Sequence, residues 1–333
     1  MTVKTDIFGI IVAMKVYVVV LDKVFDTGLS TILDTFGVAN ALAESAGTPS
    51  VNFEVTMVGV RDKVTTNRGL SVPVVSVKGL VRPDVVVIPG IGEITPEPLK
   101  NELSRPDLAD AEKIVKEWSG NGALTGAACT GTFVLAGMSL LDGLSATTNW
   151  WLAPLFRERY PRVKLEESRM VISSSDFITA GSALAHVDLA LWLVRKSSPV
   201  LAAVTAQFLV ADPHSSQSAY MIPEYLAHTD PVIERFEKWA RQSLAEGFSL
   251  NKAAVSAGTS ERTLARRLQT VLGKTPLSYF QEIRIEYATY LLRTSKKSVD
   301  QIASQVGYAN GKTLRRLISK KMDRTVNQIR ALS

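Results

Sequence analysis

Residues 249–275, SLNKAAVSAGTSERTLARRLQTVLGKT, are echoed by residues 298–325, SVDQIASQVGYANGKTLRRLISKKMDRT. Ser249, Leu250, Ala254 and Gly258 return 49 positions later as Ser298, Val299, Ala303 and Gly307; Leu264, Arg266 and Thr275 return 50 later as Leu314, Arg316 and Thr325. The extra residue falls in the turn. Each copy reads as an N-cap serine, a short helix with small residues where another helix approaches, a glycine turn, a second N-cap and a longer helix. The second caps are Ser260 and Asn310. This is the grammar of two helix-turn-helix units, in which the later helix offers its first residues to a major groove.

The chemistry of those later helices fits that use. Arg262, Arg266 and Arg267 cluster on the first, and Lys312, Arg315 and Arg316 on the second, while Leu264, Leu268, Leu314 and Leu317 supply apolar faces. Arg262 and Arg266 are four apart and share a face. Arginine can fork two hydrogen bonds onto a guanine edge, worth roughly 1 to 3 kcal/mol of discrimination. Phosphate contact is the alternative for each of these cations. Between the units, Thr275 and Pro276 open a helix expected to reach about Leu292, with Phe280, Ile283, Tyr287 and Leu291 on its buried side. Such a spacer suits two successive major grooves on one face of DNA, roughly 34 Å apart.

Charge divides the chain in the same place. Residues 230–333 hold 19 Lys and Arg against 9 Asp and Glu, a net of +10, which leaves −4 for the remainder of a chain whose total is +6. A basic segment joined to a mildly acidic one is what a polyanion-binding module attached to a second domain displays. Upstream, strand and helix signals alternate. Val16 to Leu21 is an apolar run of buried-strand type, followed by Leu29, Ile32, Leu33, Phe36 and Leu42 at helical spacing. Val85 to Ile88, Leu124 to Cys129 and Phe177 to Thr179 read as further strands, Pro106 to Trp118 and Ala183 to Leu193 as helices. The expectation is an α/β domain over 14–211, flavodoxin-like, with a mostly parallel sheet and helices on both faces. A linker follows over 212–229, and an all-α domain with the two helix-turn-helix units over 230–333, opened by Asp230 as N-cap and Pro231.

Bulk properties set limits. A chain of 333 residues suits two cores, and 46% hydrophobic with 21% charged residues is a globular composition. One cysteine, Cys129, excludes an internal disulfide, and with three histidines it offers little for a structural metal site, so no metal or cofactor is expected. The run from Ile7 to Met14 is short and broken by Gly9, and no stretch reaches eighteen apolar residues; neither a signal peptide nor a membrane span is expected, and the cytoplasm is the expected location.

Residues 230–333 resemble the AraC/XylS family of regulators. The marks are Ser260 to Arg267, Gly273-Lys274-Thr275-Pro276, Arg284-Ile285 with Ala288 and Leu291-Leu292, and Ile302-Ala303 followed by Val306-Gly307-Tyr308. The resemblance implies a bipartite double-stranded DNA operator contacted by both units, with Arg262, Ala265, Arg266, Lys312 and Arg316 facing bases, and RNA polymerase as a further partner. Asp323 and Val326 stand where the family usually has Gly and Pro, and Gly311 near the start of the second reading helix should weaken it by about 1 kcal/mol.

In the first domain, Gly126 to Gly131 sets the lone thiol between an apolar strand and a helix beginning at Phe133, a nucleophile-elbow arrangement in which a helix N-terminus favours thiolate. A small buried hydrophobe is the other reading. Val85 to Gly90, Cys129-Thr130-Gly131, Leu140 to Gly143, Ala146 to Thr148 and Asp176 to Gly181 look like the class I glutamine amidotransferase-like domain, in the PfpI-like branch shared with intracellular cysteine proteases. Fused ahead of an AraC-type module, this is similar to the GlxA-type regulators, and the resemblance implies a homodimer that senses a small, often nitrogen-containing, metabolite. The implied ligand cleft is built from Cys129, Thr130, the turn of Gly90, Ile91 and Gly92, and Asp34 as the carboxylate near the thiol. Trp150 beside Trp151 is an aromatic wall in this reading, with core packing as the alternative.

A cysteine hydrolase needs a base at the sulfur. Thr130 follows the cysteine where enzymes of the resembled superfamily often carry His, and Asn149 stands where relatives tend to show His before the tryptophan. His186 is expected in a buried helix, and His214 and His228 in or near the linker. No catalytic residue is therefore assigned and the expectation is a regulator, not an enzyme. A cysteine-dependent hydrolase or amide-processing enzyme with a DNA-binding tail is the rival.

Overall fold

The Val16–Leu21 run has no polar member because both faces of its strand are covered. Val16, Val18 and Val20 enter one apolar cluster with Phe36, Val85, Val87 and Leu189; Tyr17, Val19 and Leu21 enter another with Val86, Ile88, Trp118 and Phe133. A sheet with helices on each side produces that pattern. The computed structural model describes residues 12–45, 51–212, 216–217, 230–322 and 325–330. By compactness the chain divides into Met1–Tyr220 and Met221–Ser333. Of the linker expected over 212–229, Asp212, Ser216 and Gln217 are described; His214, His228 and Asp323 lie outside the described residues.

In chain order the first unit runs β1 (Val12–Val19), α1 (Asp26–Ser45), β2 (Val51–Gly59), β3 (Lys63–Thr65), β4 (Ser71–Pro73), β5 (Val75–Ser76), β6 (Val85–Ile88), α2 (Pro96–Glu102), α3 (Pro106–Gly120), β7 (Leu124–Ala128) and α4 (Gly131–Gly137). There follow β8 (Ser145–Ala146), a 3₁₀ turn over Trp150–Leu152, α5 (Ala153–Arg159), β9 (Lys164–Leu165), β10 (Val171–Ser174), β11 (Phe177–Ala180), α6 (Ala185–Ser197) and α7 (Pro199–Phe208). The central sheet has the order β10-β11-β7-β6-β1-β2-β5 and is parallel except for the edge pair β10/β11. Residues of α1, α6 and α7 fill the cluster on one face and residues of α2 to α5 the cluster on the other. The chain leaves β1 toward β2 and later returns on its other side as β6. Outside the carboxyl ends of the strands at such a reversal, here β1 and β6, is where ligands of doubly wound folds bind.

The second unit is helical: α8 (Pro231–Gln242), α9 (Leu250–Ser256), α10 (Glu261–Leu272), α11 (Pro276–Thr294), α12 (Val299–Gln305), α13 (Gly311–Met322) and α14 (Val326–Arg330). Every cap read from the sequence is made. Asp230 accepts from Val232 and Ile233, Ser249 from Lys252, Ser260 from Thr263, Thr275 from Ser278, Ser298 from Gln301 and Asn310 from Thr313. Each such cap stabilises its helix by about 1 kcal/mol. Gly258 and Gly307 turn the chain at φ +65° and +77°. Gly311 is no weak spot: it is the first residue of α13, its N–H bonds the Asp300 carboxylate at 2.7 Å, and a Cβ there would stand 2.9 Å from that oxygen. The cost of glycine in a helix interior does not apply at this close approach to α12.

Candidate functional site

Cys129 follows the carboxyl end of β7, the strand beside β6. It holds φ +58°, left-handed for a residue with a side chain, and the turn is fixed from both sides: its N–H bonds Ala180 O at 2.8 Å and its carbonyl accepts from Thr148 Oγ1 at 2.8 Å. Asn149 Nδ2 donates to the sulfur at 3.0 Å. The thiol is not activated as its place before α4 suggested. Burial pushes it up, more than the Asn149 amide and Thr130 pull it down. With the residue only 4% exposed, loss of water outweighs the helix end.

The neighbouring turn is equally enclosed. Gly90, Ile91 and Gly92 are buried; Thr130 Oγ1 bonds Ile91 O at 2.5 Å, Asn67 Nδ2 bonds Gly92 O at 2.9 Å, and Phe25 N bonds Gly90 O at 2.7 Å. His186, in the first turn of α6, lies beneath this turn. Its Nε2 accepts from Gly90 N at 3.0 Å and its Nδ1 donates to Ala183 O at 2.8 Å. An amide can only donate and a carbonyl can only accept, so one neutral tautomer is fixed. Burial lowers its pKa to about 4, against the Ala183 carbonyl, which raises it. Neither nitrogen is left to serve the thiol as a base.

In the second unit, the first two turns of α10 and α13 carry the cations. Arg262, Arg266, Lys312, Arg315 and Arg316 are exposed and Ala265 half-buried, whereas Leu264, Leu268, Leu314 and Ile318 are buried beneath them. Arg267, expected to join them, is exposed too but already has a partner. Its Nη1 bonds Asp230 Oδ2 at 2.7 Å, so it fastens α10 to the start of α8. The two halves are joined by Arg284 of α11, whose Nη2 donates to Leu244 O at 2.7 Å and whose guanidinium lies 4.7 Å from the Phe280 ring and 5.4 Å from the Tyr308 ring.

Residues 14–196, more than half of the chain, match the DJ-1/PfpI family. The chain belongs to that family. Residues 253–331 match a helix-turn-helix domain in addition. The HTH-type transcriptional regulator GbdR of Pseudomonas aeruginosa is 27% identical over 193 residues, which is 57% of this chain and 52% of that protein. The HTH-type transcriptional regulator GlxA of Rhizobium meliloti is 26% identical over 209 residues, 61% of this chain and 64% of its own. These matches span between half and two thirds of the relatives' length. A solved THiJ/PfpI family protein from Pseudomonas syringae shares the fold, with a TM-score of 0.50 at 19% identity over 61% of this chain and 77% of that one.

Within the DJ-1/PfpI domain, the structure brings together Gly90, Ile91, Gly92, Cys129 and Thr130, and leaves out Asp34. Asp34 is exposed on α1, eight residues beyond Asp26, or about 12 Å along a helix. Asp26, at the start of α1, has its carboxylate held by Thr66 Oγ1 at 2.5 Å and Arg68 N at 3.2 Å. Trp150 is 8% exposed and set edge-on to Trp151 at 5.6 Å, so it packs as core more than it walls a cleft. Asn67, His186 and Gln217 belong to the surroundings of the elbow and were not assigned to it from sequence. Among the described residues no helix is long and apolar enough to cross a membrane, and no group of His, Cys, Asp and Glu could hold a metal.

Proposed function

We propose that this protein is a ligand-responsive, sequence-specific DNA-binding transcription regulator. The carrying observation is the pair of capped helices, α10 and α13, that leave Arg262, Arg266, Lys312, Arg315 and Arg316 in solvent while burying the leucines beneath them. Two such cationic helix ends joined by α11 fit successive major grooves, with Arg262 and Arg266 reading bases and the others holding phosphates. The names of GbdR and GlxA support the same reading. Operator titration tests it. Affinity should fall steeply with salt and survive competition from unrelated duplex; equal affinity for every duplex defeats it.

The elbow serves binding in this reading. The sulfur faces an amide instead of an imidazole, and His186 is locked in a turn. The effector is a small molecule taken at the carboxyl ends of β1 and β6, beside Cys129 and the Gly90–Gly92 turn. A homodimer through the α/β unit, contact with RNA polymerase and a cytoplasmic location complete the proposal. Val200 and Phe208 of α7 are 75% and 68% exposed, which suits a subunit contact. Cys129→Ser separates the regulator from a cysteine hydrolase: operator affinity should persist, and turnover abolished by this change would establish the enzyme.

A further inference from the structure

Gln217 lies thirteen positions before Asp230, in what the sequence presents as linker, yet its side chain is fully buried in the first unit. Its Nε2 faces three acceptors: Thr148 O at 2.9 Å, Thr147 Oγ1 at 3.2 Å and Arg169 O at 3.2 Å. Thr147 spends its own proton on Arg169 O, so its oxygen can only accept here, and the orientation of the amide is determined. The backbone docks too. Gln217 N bonds Ser168 O at 2.9 Å, Ser216 Oγ bonds the same oxygen at 2.7 Å, and Ser216 pairs with Arg169 as an isolated bridge. Against these stands one loss: Gln217 Oε1 is buried with no partner. Release would return that oxygen to water, so the docked arrangement carries its own counterweight.

The carbonyl that holds Gln217 belongs to the peptide group joining Thr148 to Asn149. Thr148 thus stands between the two: its carbonyl takes the Gln217 amide and its Oγ1 donates to the Cys129 carbonyl, so an elbow that shifts pulls on the residue that holds Gln217. Asn149 is itself fully buried with its amide on the Cys129 sulfur. A group bonded to the sulfur competes with the Asn149 amide that already donates to it.

We propose that Gln217 is a latch, tying the segment that leads toward Asp230 to the Thr148–Asn149 peptide, so that occupation of the Cys129 elbow and release of Gln217 are one linked event. The latch stands on the geometry above; its use in signalling rests on the regulator reading. Linkage requires the effect to run both ways with one factor.

The full chain has a single cysteine, which makes both directions measurable. Gln217→Met keeps the volume and removes the N–H donors; its Cys129 should react with dithiobis(nitrobenzoate) about tenfold faster than in the unsubstituted chain, a size of coupling ordinary for linked sites. In the reverse direction, the unsubstituted chain thiomethylated at Cys129 with methyl methanethiosulfonate should show faster hydrogen exchange at the Gln217 amide, by a similar factor, while β1 and β6 keep their protection. An unchanged thiol rate in folded Gln217→Met, unchanged exchange at Gln217 after thiomethylation, or an equal rise across the whole sheet overturns the latch. The exchange measurement needs no variant, so a poorly folding Gln217→Met leaves the decision to it. Neither measurement involves DNA, so failure of the latch and failure of operator binding are told apart.

Discussion

Asn149 Nδ2 donates to Cys129 Sγ at 3.0 Å, in a place where a hydrolase needs a group that can take the proton away. An amide can stabilise a thiolate and cannot accept its proton. With burial raising the thiol above its ordinary range, Cys129 should be neutral at pH 7. A pH–rate profile for alkylation by iodoacetamide checks this, because its inflection reports ionisation and its plateau reports access. The inflection should lie above that of an ordinary free thiol, and Asn149→Ala should move it higher. An inflection below pH 8 would mean an activated nucleophile.

His186 makes folding sensitive to mild acid. Its folded pKa of about 4 lies below the unfolded 6.5, so the unfolded chain takes up a proton first as pH falls. The stability of the neutral imidazole is present above about pH 6.5 and is lost as pH drops toward 4. The full loss is roughly 3 kcal/mol, from 1.36 kcal/mol for each unit of displacement. Urea unfolding monitored between pH 7 and 4 should show the decline, and His186→Asn should flatten it. An unaltered slope in the variant would place the acid sensitivity elsewhere.

Periodicity made most of the fold readable. The Val16–Leu21 and Val85–Ile88 runs could only be strands buried on both faces, and the repeated caps of the second unit each proved to hold a backbone amide. β2 was passed over although Val51, Phe53, Val55 and Met57 alternate with polar residues, a sufficient strand signal, and it pairs with β1 for its first eight residues. The elbow itself was legible as Cys129 between strand and helix. Its partners were not, because they come from far along the chain: His186 meets Gly90 across 96 residues and Gln217 meets Thr148 across 69. No local pattern marks a polar side chain whose acceptors are set by tertiary packing. The bond from Arg267 to Asp230 was illegible for the same reason, since the two are 37 positions apart.

The arginines of α10 should therefore separate by experiment. Arg262→Ala and Arg266→Ala should relax selectivity within one half of the operator, each by roughly 1 to 3 kcal/mol of discrimination, with little effect on unfolding. Arg267→Ala should leave selectivity intact and destabilise the second unit by about 0.5 to 1 kcal/mol, the ordinary size for a pair whose cation is partly solvated. Binding to a panel of single-base operator variants, with thermal unfolding in parallel, distinguishes them. Selectivity lost in Arg267→Ala would show that its bond to Asp230 opens on DNA.

The two turn glycines occupy equivalent places in the repeat and should nonetheless differ in tolerance. Gly258 has φ +65°, and the nearest atoms to an added Cβ are those of Arg235 at 3.7 Å, so Gly258→Ala meets backbone strain alone, about 1 kcal/mol. At Gly307 the φ of +77° brings a similar strain, but a Cβ would stand 2.3 Å from Leu244 O and 2.4 Å from Arg284 Nη2. Those two atoms form the buried 2.7 Å bond that joins α11 to the segment following α8. Gly307→Ala must part them, leaving a buried guanidinium and a carbonyl without each other, for a further loss of roughly 2 to 3 kcal/mol. Chemical denaturation of the two variants should show that gap. The footprint of Gly307→Ala on an operator should shorten on the side bound by α13, while that of Gly258→Ala stays complete. Equal destabilisation of the two variants would mean that the Arg284 bond contributes nothing to holding the two halves of the second unit together.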